Sequence, residues 1–79
     1  MGKLSSLSAR EVERALKRAG FVFVSQKGSH KKFRRTRSDG RVETVILPDH
    51  KHIKEGTLRK GILRPINMSA EEFLTYLRD

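Results

Sequence analysis

Apolar residues recur along this chain with two different periods. Val12, Ala15, Leu16 and Ala19 follow the i, i+3, i+4, i+7 spacing of one helical face. Ahead of them, Ser8 and Glu11 form a capping box in which each side chain accepts the other's backbone N–H. Leu7 and Val12 stand at the two positions of a hydrophobic staple, and Gly20 can take the left-handed conformation that closes a helix. The spacing predicts a helix over 9–19. Residues 21–26 are a β-branched and aromatic run without a breaker, too short for a helix and apt for a buried strand. Lys27-Gly28-Ser29 reads as a turn and 30–37 as a second strand. Ser38-Asp39-Gly40 reads as a hairpin turn with Asp-Gly supplying positive φ, and 41–47 as a third strand ended by Pro48.

Residues 49–54 form a polar loop with two histidines, followed by a short helix over 55–64 with Leu58 and Ile62 on one face. Gly61 weakens that helix and Pro65 cannot continue it cleanly. A second capping box, Ser69 and Glu72, and a second staple, Met68 and Phe73, open a last helix with Phe73, Tyr76 and Leu77 on its apolar side. The order is therefore helix, three-stranded antiparallel meander, then one or two helices. This is an α+β sandwich whose helices cover one face of the sheet. Seventy-nine residues make a single domain over 1–79, with 1–6 expected as a flexible N-terminus.

Charge changes the picture most. The chain carries 18 Lys and Arg against 9 Asp and Glu, a net charge of +9. Between residues 27 and 41 there are seven basic side chains (Lys27, Lys31, Lys32, Arg34, Arg35, Arg37 and Arg41) and one acid, Asp39. Lysine on strands deters edge pairing, but that accounts for one or two lysines only. Like charges on adjacent strands repel, so such a hairpin is costly unless an anion neutralises it. Nucleic acid is the natural anion, its phosphates supplying affinity rather than sequence choice. With no cysteine, the chain has no disulfide frame, thiolate nucleophile or cysteine-ligated metal. No apolar run is long enough to span a membrane, and no apolar leader marks the N-terminus. A cytoplasmic protein without membrane contact is expected.

Alternation along the second strand sorts its side chains. Phe33 must point to the core, which sends His30, Lys32, Arg34 and Thr36 to the opposite, open face. Lys31, Arg35 and Arg37 share the parity of Phe33, so some of them must lie beyond the covered area or extend their stems outward. Zinc fits poorly: His50 and His52 are two residues apart and no cysteine completes a ligand set. No metal and no cofactor are expected. His30, by contrast, suits general acid–base cleavage of RNA. That reaction needs a base for the 2′-hydroxyl proton, an acid for the leaving oxygen, and cations for the crowded phosphate. Imidazole can serve as base or acid near neutral pH without a metal. Lys27, Lys32 and Arg34 are placed to supply the cations, and Gly28 lets the backbone approach a phosphodiester closely.

Ala19-Gly20-Phe21, Lys27-Gly28-Ser29-His30 followed by Phe33, and the acidic-glycine hairpin resemble the HicA toxin family. Pro48 with His50, Gly56-Thr57-Leu58-Arg59, Ile62-Leu63 and Ser69-Ala70-Glu71-Glu72-Phe73 continue the likeness in the same order, from about Leu7 to Leu77. The resemblance implies a double-stranded-RNA-binding-like fold and an mRNA interferase, a small endoribonuclease restrained by a HicB-type antitoxin. It implies that His30 of the Gly-Ser-His motif is catalytic and that the antitoxin occludes it. The RNA-binding set expected around it is Lys27, Gly28, Ser29, Lys32 and Arg34, with the free chain a monomer. Relative to the family pattern Gly61 is an extra residue, and Pro65 with Asn67 replaces a Gln-Ala-Gly turn. His52 lies outside the pattern. Two other functions use the same residues: a non-catalytic RNA-binding module acting through hairpin 27–41, and an interaction protein for an acidic partner.

Overall fold

In the computed structural model, which describes residues 4–78, Ser8 and Glu11 cap the first helix reciprocally. Glu11 N donates to Ser8 Oγ at 3.2 Å and Ser8 N donates to Glu11 Oε1 at 2.9 Å. Helix α1 (Ala9–Arg18) buries Ala9, Val12, Ala15 and Leu16, and Leu7 and Val12 are both buried at its start. Three strands follow, β1 (Val22–Lys27), β2 (His30–Thr36) and β3 (Val42–Pro48), paired antiparallel in that order. The chain closes with helix α2 (Ala70–Arg78), where Glu72 N donates to Ser69 Oγ at 3.0 Å and Met68 and Phe73 are both buried. The architecture is the α+β arrangement expected: helix, antiparallel meander, helices.

The core lies between one face of the sheet and the helices. Phe33, Val45 and Leu47 from the sheet pack with Val12, Leu16, Phe21, Leu58, Ile62, Ile66 and Phe73. Leu4 belongs to this core and Ser5-Ser6 form a turn after it; residues 1–3 of the expected flexible segment 1–6 lie outside the described residues. Loop 49–54 is tied down at both ends. Ala9 N donates to His50 O at 3.0 Å, and Ile53 N donates to Leu7 O at 2.7 Å.

Three expectations need correction. The run over 21–26 is not a buried strand: Phe21 is buried just before it, but every residue of β1 is exposed. β1 is an edge strand, and the helical layer packs on β3 instead. In the second hairpin turn Gly40 alone has positive φ, at +91°, and Asp39 does not. The helix expected over 55–64 is α-helical only at Glu55 and Gly56, then continues as a π-helix, Thr57–Leu63, and a 3-10 turn, Arg64–Ile66. A π-turn holds one more residue than an α-turn. The extra residue Gly61 is thereby absorbed, and Leu58, Ile62 and Leu63 all stay in the core. Pro65 fits inside the 3-10 turn, and Asn67 ends it in a left-handed conformation at φ +54°.

Candidate functional site

The first hairpin places the Gly-Ser-His motif. Gly28 and Ser29 form a two-residue turn in which Gly28 has φ +60° and Ser29 is not positive, the pattern of a II′ turn. That turn pairs Lys27 with His30. Gln26 Nε2 donates to Gly28 O at 3.0 Å, and Asp49 N donates to Ser29 O at 2.6 Å, so both sides of the turn are held. Continued without interruption, this register would pair Phe23 with Arg34 on the open face. A bulge between Phe23 and Ser25 shifts it by one residue, so Phe23 opposes Phe33 on the covered side. Their rings meet edge-on at 5.8 Å.

Residues directly opposite each other in a sheet share a face. The open face therefore carries rows that cross the strands: Lys27, His30 and Pro48; Ser25, Lys32 and Ile46; Val22, Arg34 and Thr44; then Thr36 and Val42. His30 is exposed, and Ser25, Lys27, His30, Lys32 and Ile46 line one shallow concavity. Of the expected site residues, Lys27, His30 and Lys32 thus converge. Gly28 and Ser29 form the turn at their end, and Arg34 lies one row beyond. Sequence reasoning missed Ser25 and Ile46. Their place beside Lys32 depends on the register that the bulge and β3 impose, and neither residue carries a chemical signal of its own.

The cations of the hairpin divide between the faces. On the covered side Lys31 Nζ sits 3.1 Å from Glu13 Oε1, while Lys17 Nζ reaches Glu13 Oε2 at 3.1 Å. Arg35 is nearly enclosed. Its Nε donates to Glu43 Oε1 at 2.9 Å, its Nη1 donates to Ala19 O at 2.7 Å, and its guanidinium lies 4.5 Å over the Phe21 ring. Arg37 Nε approaches the same Glu43 oxygen at 3.2 Å. Arg41 pairs with Asp39 in the turn at 2.8 Å. Burial pushes the Glu43 carboxyl up, but Arg35 and Arg37 outweigh it and hold the group below its ordinary value. Glu13 shows the same balance: burial raises it, and Lys31 and Lys17 bring it below its ordinary value. Lys27, Lys32 and Arg34 have no acidic partner among the described residues. Lys27 lies directly across from His30 and Lys32 two residues along β2, while Arg34 stands two rows from it on the same face.

The other histidines stand elsewhere. His50 lines a separate concavity with Ser8, Ala9, Arg10, Asp49 and Lys51, and His52 is exposed in the same loop. Among the described residues no three His, Cys, Asp or Glu side chains come together as a metal set. No helix among them is long and apolar enough to cross a membrane.

A search of the curated proteins finds no match. The family described as "HicA toxin of bacterial toxin-antitoxin" matches over residues 9–65, which covers α1, the whole sheet with its Gly-Ser-His turn, and the π-helical segment. The chain belongs to the HicA toxin family, the toxin side of bacterial toxin–antitoxin pairs.

Proposed function

We propose that this chain is an endoribonuclease that cuts mRNA in the cytoplasm, with His30 as its general acid or base, and that a HicB-type antitoxin restrains it by covering His30. One observation carries the reading. The covered-side cations Lys31, Arg35 and Arg37 are paired by Glu13 and Glu43, whereas Lys27 and Lys32 beside the exposed imidazole, and Arg34 farther along the same face, have no acidic partner among the described residues. What supports an anion-binding role is the clustering of these cations on the face that carries the exposed imidazole.

This face supplies one acid–base group and the cations for the cleavage, and water can exchange the second proton. The 2′-oxygen of the substrate attacks the adjacent phosphorus as its proton passes to a base. The bond from phosphorus to the 5′-oxygen breaks, and that oxygen takes a proton. The products are a 2′,3′-cyclic phosphate and a free 5′-hydroxyl. His30 handles one of these protons, an effect worth about 10²–10⁴ in rate. Lys27, across from it on β1, and Lys32, two residues along β2, share its concavity and stabilise charge that develops on the non-bridging oxygens. Arg34, two rows along β2 from His30, holds a neighbouring phosphate. Gly28 keeps the turn free of a side chain, and no atom lies within 4 Å of where its Cβ would be.

Brief expression of the chain and of His30→Ala in cells lacking the antitoxin tests this. The parent should arrest growth and shorten transcripts, and the variant should do neither while accumulating as folded protein. Growth arrest by His30→Ala would defeat the assignment. Arrest without transcript loss by either chain would favour a non-catalytic RNA-binding module.

A further inference from the structure

The loop that holds His50 begins at the His30 end of the sheet. Pro48 stands directly opposite His30 in the last row of the open face, and His50 N donates to Pro48 O at 3.0 Å. Asp49 N donates to Ser29 O at 2.6 Å, one residue before His30. The two histidine backbones therefore lie within about 13 Å of each other. On its other side the loop is fixed to α1, because His50 O accepts from Ala9 N at 3.0 Å. Arg10, Asp49, His50 and Lys51 are exposed around a concavity of about 490 Å³ that Ser8 and Ala9 complete, a volume within the range of small-ligand sites. We propose that this concavity is a second subsite for RNA, holding a nucleotide that flanks the cleaved bond on the same strand. This rests on the reading of the open face as the RNA site and adds where the strand goes: from Arg34, past His30, onto loop 49–51.

The charges of the concavity select the ligand. Arg10 and Lys51 make no ion pair among the described residues, and neither does Asp49 between them in sequence. A simple anion would find Asp49 against it, and a simple cation would find Arg10 and Lys51 against it. A nucleotide satisfies both signs. Its phosphate takes the two cations, and the N–H groups of its base edge donate to a carboxylate. The exposed His50 ring offers the flat face on which an unpaired base stacks. The end of α1 is not the anchor, since Ala9 N–H is taken by His50 O and Glu11 N–H by Ser8 Oγ.

Arg10→Gln with Lys51→Gln removes both cations and leaves the backbone links of the loop in place. Cleavage is followed on two RNAs, a dinucleotide with the reactive linkage alone and the same linkage flanked by further nucleotides on both sides. For the parent, the flanks should raise kcat/KM. The double variant should lose about tenfold on the flanked RNA and stay within about twofold on the dinucleotide, with an unchanged thermal unfolding curve. His50→Ala should likewise act on the flanked RNA alone. Lys60→Gln with Arg78→Gln, which removes the same charge from the π-helix and α2, should keep the full gain. Unchanged cleavage of the flanked RNA by the Arg10 and Lys51 variant overturns the proposal, and so does an equal loss on both RNAs. An equal loss from the Lys60 and Arg78 pair also overturns it, by making total charge the cause. If the parent cuts neither RNA, the nuclease reading fails. Fluorescence anisotropy on the flanked RNA then decides the subsite: weaker binding by the Arg10 and Lys51 variant alone supports it, and equal binding by all chains overturns it.

Discussion

Arg35 and Glu43 stand directly opposite each other across β2 and β3, and Arg35 Nη2 ends 2.8 Å from Glu43 Oε1. The same guanidinium reaches back to Ala19 O at the end of α1, so one side chain joins the sheet to the first helix. Both partners are largely shielded, with side chains 12% and 14% exposed. Removing the carboxylate strands two guanidinium groups at once.

Glu43→Gln should therefore destabilise the fold by about 1–3 kcal/mol at neutral pH. The folded Glu43 carboxyl lies below its ordinary value, so its contribution is fully present above about pH 5. It is lost as pH falls through the lowered folded value. Denaturant unfolding of parent and variant from pH 7 down to pH 3 should show the gap between them narrowing in acid. A gap that stays constant with pH would place the stabilisation elsewhere.

Lys31 and Lys32 are sequence neighbours with opposite assignments. Lys31→Ala removes an ion pair with Glu13, worth at most about 1 kcal/mol of stability, and should leave RNA binding nearly unchanged. Lys32→Ala should weaken RNA binding and reduce its logarithmic salt slope by about 0.7, the value for one phosphate contact on a single strand. Fluorescence anisotropy on a short RNA across a salt series measures both. Equal effects from the two variants would contradict the division of charge between the faces.

Gly61 offers a test of the π-helical segment. With Gly61 deleted, Ile62 and Leu63 stand three and four residues after Leu58, the spacing of an ordinary α-helical face. The shortened chain should fold with the same core. Gly61→Ala should stabilise the parent by about 0.5–1 kcal/mol, because an added Cβ meets only Thr57 Cγ2, at 4.0 Å. Thermal unfolding checks both. Loss of folding in the deletion variant would show that the wide turn is required rather than tolerated.

Local signals in the sequence were legible, and those that depend on register were not. Ser8 with Glu11 and Ser69 with Glu72 act within one turn of chain, so spacing alone locates both helix starts. The parity of Phe33 is equally local, and it sends His30 and Lys32 to the open face. The pairing of Arg35 and Arg37 with Glu43 was hidden, because nothing local says which acid will face which base across a hairpin. The bulge at Val24 was hidden for a related reason. It reconciles a two-residue turn at one end of the hairpin with the Phe23–Phe33 contact near the other, and neither end announces the conflict. The exposure of β1 was missed because an edge strand and a buried strand can share one apolar composition. At Leu58, Ile62 and Leu63 the apolar positions were plain, but steps of four and five residues do not separate an α-helix from a π-helix.

The central claim is that His30 moves a proton during RNA cleavage and is not merely one more contact to phosphate. The most direct measurement compares purified parent and His30→Ala on one single-stranded RNA, with affinity and single-turnover cleavage rate determined separately. The predicted result is an affinity within a few-fold of the parent and a cleavage rate lower by about 10²–10⁴. Cleavage by the variant at the parental rate would contradict it.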